Sequence, residues 1–220
     1  HTSDSVTVQL QRTATGVEDA TAENVGNALT LNAENKWTTE VDNLQPGYTY
    51  SVMETSGDDR YDVTVTYSDD QDLTKNMVWS SGADAGTLNA TVTNTLKNVK
   101  LENLVSVKKN LVGRAWTSFD EFVFTLETTD GTPLPDACKN QQSCEVSVKS
   151  DADSHTAAFG NITYDAGEAD YTYYVTENEG SASAMHYSKA KYEVVVTVAK
   201  SADGEWEASV SFVKKVSDDN

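Results

Sequence analysis

Basic residues are the first shortage in this chain. Lys and Arg total 16 against 35 Asp and Glu, a formal net charge of −19 over 220 residues. A protein that neutralises phosphates needs clustered cations, and none is present, which argues against nucleic-acid binding and against docking to anionic lipid. No apolar run approaches the ~20 residues of a membrane span, and no signal peptide opens the chain. His1 is not an initiator methionine, so the sequence reads as a processed or excised segment. The 3 His (His1, His155, His186) and 2 Cys (Cys138, Cys144) are scattered, whereas a zinc site needs about four converging ligands. A CxxC redox pair, a GxSxG elbow, an HExxH and a phosphate-binding glycine loop are also missing, which lowers the case for an enzyme. The two cysteines lie in a polar stretch, PDACKNQQSCEV, with 5 residues between them. They form either a short-loop disulfide, the state favoured in an exported protein, or two free thiols.

What is present is strand pattern. The hydrophobic fraction is low, 38%, yet Val, Tyr, Phe and Thr recur in short alternating runs that a disordered chain does not show. The first half carries Val6–Leu10, Trp37–Val41, Tyr48–Val52, Tyr61–Tyr67 and Leu88–Asn94. The pattern restarts after Thr95 with Leu104–Val107, Phe122–Leu126, Cys144–Val148, Tyr171–Val175, Tyr192–Val198 and Trp206–Phe212. Period-2 runs separated by Gly, Asn and Asp turns predict an all-β sandwich or barrel. Residues 71–79 offer one helical turn at most. The length accommodates two domains, and the shared internal order of the halves places one at 1–97 and another at 98–220, joined by the short stretch NTLKNVKLENL.

Polar residues break the alternation at matching places. Each half has a tyrosine strand ending in a glutamate, YTYSVMET at Glu54 and YTYYVTEN at Glu177. Parity sets Tyr50, Val52 and Glu54 on one face, and Tyr173, Val175 and Glu177 on one face. If the valines face the core, so do both carboxylates. Val105, Val107, Lys109 and Leu111 share a parity, as do Leu88, Ala90, Val92 and Asn94, which turns Lys109 and Asn94 inward. An inward Lys or Asn is costly unless paired. The bland alternatives are a snorkelling lysine at a strand end, a turn asparagine and glutamates at the sheet rim.

In VTVQLQRT, NKWTTEVDNLQPGYTYSVMET and ATVTNT, the first half resembles a CnaB repeat of Gram-positive surface and pilin proteins. In VKKNLVGRAWTSFDEFVFTLETTDGTPLP, FGNITYDAGEADYTYYVTENEG and YEVVVTVAKSADGEWEASV, the second half is similar to a pilin isopeptide-linkage domain. The resemblance implies two tandem Ig-like (CnaB-type) β-sandwiches whose cores carry Lys–Asn isopeptide bonds. It implies Glu54 and Glu177 as the promoting acids, Lys109 as the reactive amine of the second domain and Asn94 as the reactive amide of the first. In such chemistry burial favours a neutral amine beside a neutral acid. The acid polarises the amide and shuttles a proton, the amine attacks, and ammonia leaves. That is a single self-directed turnover, not an enzyme acting on a substrate, and it needs no cofactor and no metal. Two departures stand out. The first-domain strand that would carry a lysine is missing ahead of VTVQLQRT, and the second domain reaches Asn220 without a terminal F-T-N-T-type strand. Lys109 is therefore expected without its asparagine, and Asn94 without its amine.

The leading reading is a structural or stalk segment of an extracellular, cell-wall-anchored fibre, partnered by other pilin subunits through sortase-linked assembly. The alternative is an adhesin module that binds a host protein or glycan through Trp79, Trp116, the 164–170 loop or the 133–144 loop. A third reading, calcium binding at 68–72 and 149–154, competes with solvated surface charge, and neither segment fits an EF-hand loop.

Overall fold

The computed structural model describes residues 5–68, 77–79, 89–129, 131–151, 153–182 and 185–217. The chain is all-β, and its strands are antiparallel wherever their pairing register is defined. It divides into two compact units, residues 1–95 and 96–220. Among the described residues no helix is long and apolar enough to cross a membrane, and no cluster of metal-ligating side chains occurs.

In the first unit β1 (Ser5–Ala14) lies at the centre of a sheet. It pairs on one side with β2 (Glu23–Asn24) and β3 (Leu29–Asn32), and on the other with β4 (Tyr48–Glu54), which pairs onward with β6 (Met77–Trp79). A second ribbon joins β5 (Tyr61–Ser68) to β7 (Asn89–Leu96). The alternation expected at Trp37–Val41 does not become a strand. Asn32 and Asn35 exchange side-chain and backbone hydrogen bonds, Trp37 N–H donates to the Asn32 carbonyl at 2.8 Å, and Lys36 and Trp37 both take left-handed backbone angles (φ 55° and 59°). Local Asx bonding has won over β propensity there. The buried core of this unit is small, centred on Leu10 and Tyr50 with Val25, Leu44, Val52 and Ala90 against it. Of residues 71–79, which offered one helical turn at most, 71–76 lie outside the described residues, and Met77–Trp79 is strand.

The second unit is built on a five-stranded sheet in the order β11 (Ser143–Lys149), β10 (Glu121–Thr128), β14 (Ala169–Glu177), β15 (Lys191–Lys200) and β16 (Trp206–Ser217). Opposite it runs a kinked two-stranded ribbon. β8 (Asn98–Leu101) pairs with β13 (Ile162–Asp165), and β9 (Ser106–Lys108) pairs with β12 (Thr156–Ala158). Asn103, with φ 53°, marks the kink between β8 and β9. The stretch read from sequence as an inter-domain joint thus contains a strand, and Val99 and Leu101 point into the second core because they alternate with charged and polar neighbours. Phe122, Leu126, Val148, Tyr173, Val196, Val198 and Ile162 are nearly or fully enclosed between the layers.

Cys138 and Cys144 are disulfide-bonded, and both sulfurs belong to this core, so the bridge anchors the 129–142 connection to the sheet. Tyr164 and Tyr173 meet there hydroxyl to hydroxyl at 2.8 Å, and Tyr173 donates to the Pro133 carbonyl at 2.7 Å. Desolvation pushes the Tyr164 phenol up to about 12, partly offset by its bond to Tyr173, and desolvation pushes Tyr173 higher still.

Two outcomes are expected. Replacing both cysteines by alanine should cost the second unit about 2 kcal/mol, the loop-closure value for so short a ring, read as a lower urea midpoint that dithiothreitol no longer changes. The raised phenols stabilise the fold fully below the ordinary tyrosine value near 10, and that stability is lost as pH rises toward about 12. Urea midpoints should therefore fall across that window, and the Tyr164→Phe/Tyr173→Phe variant should show a shallower fall.

Candidate functional site

β14 ends at Glu177 opposite Phe124 of β10, on the same face as Tyr173 and Val175. Lys109 follows β9 directly, and its backbone N–H donates to the His155 carbonyl at 3.0 Å, extending the pairing with β12 by one bond. The two side chains meet across the sandwich, with Lys109 Nζ 2.5 Å from Glu177 Oε1. Their side chains are 11% and 2% exposed. The second carboxylate oxygen accepts the Ser188 backbone N–H at 2.9 Å, and the ammonium stands 4.5 Å above the Phe122 ring centre. Lys108, one residue earlier, is exposed, as the alternation requires. An amine and a carboxylate at this separation have the geometry for proton transfer. Among the described residues the recorded hydrogen-bond partner of this amine is Glu177, and no asparagine amide contacts it.

The core is uncovered beside this pair. Along the inner face of β15, Val198 and Val196 are fully enclosed and Val194 nearly so, but Tyr192 is 41% exposed. β16 shows the same gradient. Its pairing shifts register after Val210, leaving Ser211 as a bulge residue that restores Val213 to the inner face opposite Val194, where it is 60% exposed. Between these residues and β9 lies an open cleft of about 290 Å³, lined by Val105, Val107, Phe124, Glu177, Tyr192 and Val213 among others. The edge of β9 away from β12 is unpaired among the described residues. A strand's worth of apolar surface and one strand edge are thus presented next to Lys109 and Glu177.

In the first unit Glu54 ends β4 and Asn94 lies in β7, both on half-buried faces. Glu54 Oε1 accepts the Ser56 hydroxyl at 3.2 Å. Glu54 Oε2 and Asn94 Oδ1 are buried without a hydrogen-bond partner, and no bond joins the two residues. Both orphans are acceptors, so each of them lacks a donor. Lys36 lies exposed on the Asn32–Trp37 turn.

The loops put forward for an adhesin are partly interior. Tyr164 and Ala166 are buried and the disulfide loop is held in the core, while Trp116 is half-buried against Phe122 and His155. Nothing is described of the Trp79 side chain, and residues 69–72 and 152 lie outside the described residues. Sequence reasoning did not reach Ser188, whose backbone contributes the bond, nor the Trp116–His155 stack, because neither carries a periodic signal.

A family model described as FctA, a Spy0128-like isopeptide containing domain, matches residues 105–219, from the start of the Lys109 segment through β16. No curated protein matches the chain.

Removing one partner of a buried ion pair leaves a charge without compensation. Glu177→Ala is expected to destabilise the second unit by about 3 kcal/mol or more, while Lys109→Met/Glu177→Leu recovers most of that loss. Urea denaturation of the wild type and these two variants measures both changes.

Proposed function

The chain belongs to the Spy0128-like isopeptide containing family, a Gram-positive pilin domain family, and from that premise we propose that it is a stalk-forming subunit of a surface pilus stiffened by self-made Lys–Asn cross-links. The family match carries the general role of a pilus structural subunit. The cross-link is the finer proposal, and the Lys109–Glu177 contact inside the matched segment is the observation that supports it.

In this reading an extended strand carrying an asparagine occupies the cleft beside β9 and brings its amide to Lys109. Closure removes water, and with it the solvation that favours the charged pair over the neutral one. The amine passes a proton to Glu177. Glu177, now an acid, hydrogen-bonds the amide and polarises its carbonyl. Lys109 Nζ attacks the carbonyl carbon, Glu177 returns the first proton to the leaving nitrogen and takes the second from Nζ, and one ammonia departs as the new amide forms, leaving Glu177 protonated. The product ties two strands covalently and restricts the unfolded ensemble as a disulfide does, but reductants do not open it. In the first unit Glu54 and Asn94 would be the acid and the amide awaiting a lysine. The chain is not an enzyme in this account, and its further partners, sortase and any host ligand, lie outside the two sites.

The test is mass spectrometry of the protein recovered from its native fibre. Lys109 is expected in a branched peptide joined to an asparagine-derived residue, with one ammonia lost, and Glu177→Ala should abolish the branch. The 220-residue chain alone should weigh what its sequence predicts less the two hydrogens of the Cys138–Cys144 disulfide. Lys109 recovered from native fibres in linear peptides alone would overturn the proposal.

A further inference from the structure

Around Lys109 the contacts close into a ring. Its backbone N–H is held by the His155 carbonyl at 3.0 Å. The His155 imidazole lies flat on Trp116, with centroids 4.0 Å apart and planes 3° from parallel. Trp116 meets Phe122 edge-on at 5.3 Å and 80°, and the Phe122 face receives Lys109 Nζ at 4.5 Å. The circuit starts and ends on one residue. His155 and Ser154 adopt left-handed backbone angles (φ 53° and 55°), an unfavourable choice for non-glycine residues, kept at the point where the ring takes hold of Lys109.

Trp116 reaches its place on the 110–120 connection, which has no strand or helix of its own. Asp120 shapes that connection. Its carboxylate accepts both Arg114 terminal nitrogens (2.7 and 2.6 Å), the Thr117 backbone N–H (2.6 Å) and the Thr117 hydroxyl (3.1 Å), and the Asp120 N–H donates back to the Thr117 carbonyl. The guanidinium, with the Thr117 N–H, holds the Asp120 carboxyl well below the usual carboxylate range. With its two oxygens occupied by these four donors, Asp120 does not serve as a counter-ion for the amine. Whatever it does for Lys109 passes through the loop.

We propose that Asp120 is a positioning residue for Lys109: by clamping the 110–120 loop it sets Trp116 on Phe122 and His155, and so keeps the amine on the Phe122 face and against Glu177. The proposal rests on Lys109 being the nucleophile, and supplies what that role needs. A lysine beside an open cleft has four rotatable bonds with which to leave for water. The backbone clamp fixes its root, and the ring face attracts and orients its head. A near-attack arrangement depends on such restraint.

The test reads the amine directly in the 220-residue chain. Acetylation by N-acetoxysuccinimide, mapped by peptide mass spectrometry, is followed at Lys109 relative to exposed Lys36. Asp120→Ala is expected to raise the relative rate at Lys109 about tenfold, the size of effect that follows loss of a modest local closure. His155→Ala and Trp116→Leu cut the same circuit elsewhere and should match it. Asp120→Asn retains an acceptor for Thr117 and should fall between. In the three circuit-breaking variants the rise should be confined to Lys109, a change that general loosening would not confine to one amine. A wild-type rate at Lys109 in Asp120→Ala, or a rise shared by every protected amine together with loss of the near-UV circular dichroism, overturns the proposal. If native fibres lack the branched Lys109 peptide while Asp120→Ala still unmasks the amine, the cross-linking account fails and the positioning role stands.

Discussion

An ammonium and a carboxylate placed 2.5 Å apart inside a sandwich impose terms on everything around them. Both lose hydration, and their attraction repays that loss only when the remaining polar atoms are bonded. The second unit meets the condition with few parts: the Ser188 N–H on the free carboxylate oxygen and the Phe122 face under the ammonium. A pair of this kind contributes little net stability compared with well-packed apolar residues. Its presence beside an uncovered stretch of core is therefore not accounted for by net stability alone. The gradient from fully enclosed Val196 and Val198 to exposed Tyr192 and Val213 describes a core complete at one end and open where Lys109 and Glu177 lie.

The first unit presents the complementary shortage. Its buried Glu54 Oε2 and Asn94 Oδ1 are acceptors without donors, and a donor supplied to either would remove the cost of leaving it unpaired. Taken separately, each unit holds two of the three groups that an amide cross-link requires. The second supplies amine and acid, and the first supplies acid and amide. The disulfide adds a different restraint. It joins residues 6 apart and ties one connection to the core, so it stiffens a loop, whereas a bond between strands on opposite layers would tie together the sandwich itself.

Much of this could be read from residue order, for an identifiable reason. Tyr171 to Glu177 alternates cleanly, so the burial of Tyr173 and Val175 carries Glu177 to the inner face by parity alone. The same reasoning turned Lys109 inward and Lys108 outward. It failed at Trp37–Val41, where side-chain amides of Asn32 and Asn35 closed a turn, and at Asn98–Leu101, four residues too few to stand out from a linker. Short strands and Asx turns carry weak periodic signals, and their fate depends on what packs against them.

Alternation and composition by themselves determined the all-β class, the inward direction of the carboxylates at Glu54 and Glu177 and of Lys109, and the acidic character of the chain, because each follows from local periodicity or from a count. The Ser188 bond, the Asp120 clamp and the open cleft were decided by tertiary structure alone, and the nearness of Lys109 to Glu177 was expected from the family resemblance, not from the residue pattern. Lys109 and Glu177 are 68 positions apart, and they meet because two layers close over a common core whose shape depends on side chains from nine strands and their loops. Such proximity depends on non-local packing, and a one-dimensional pattern holds no record of which inward-facing residues will share the same few ångströms.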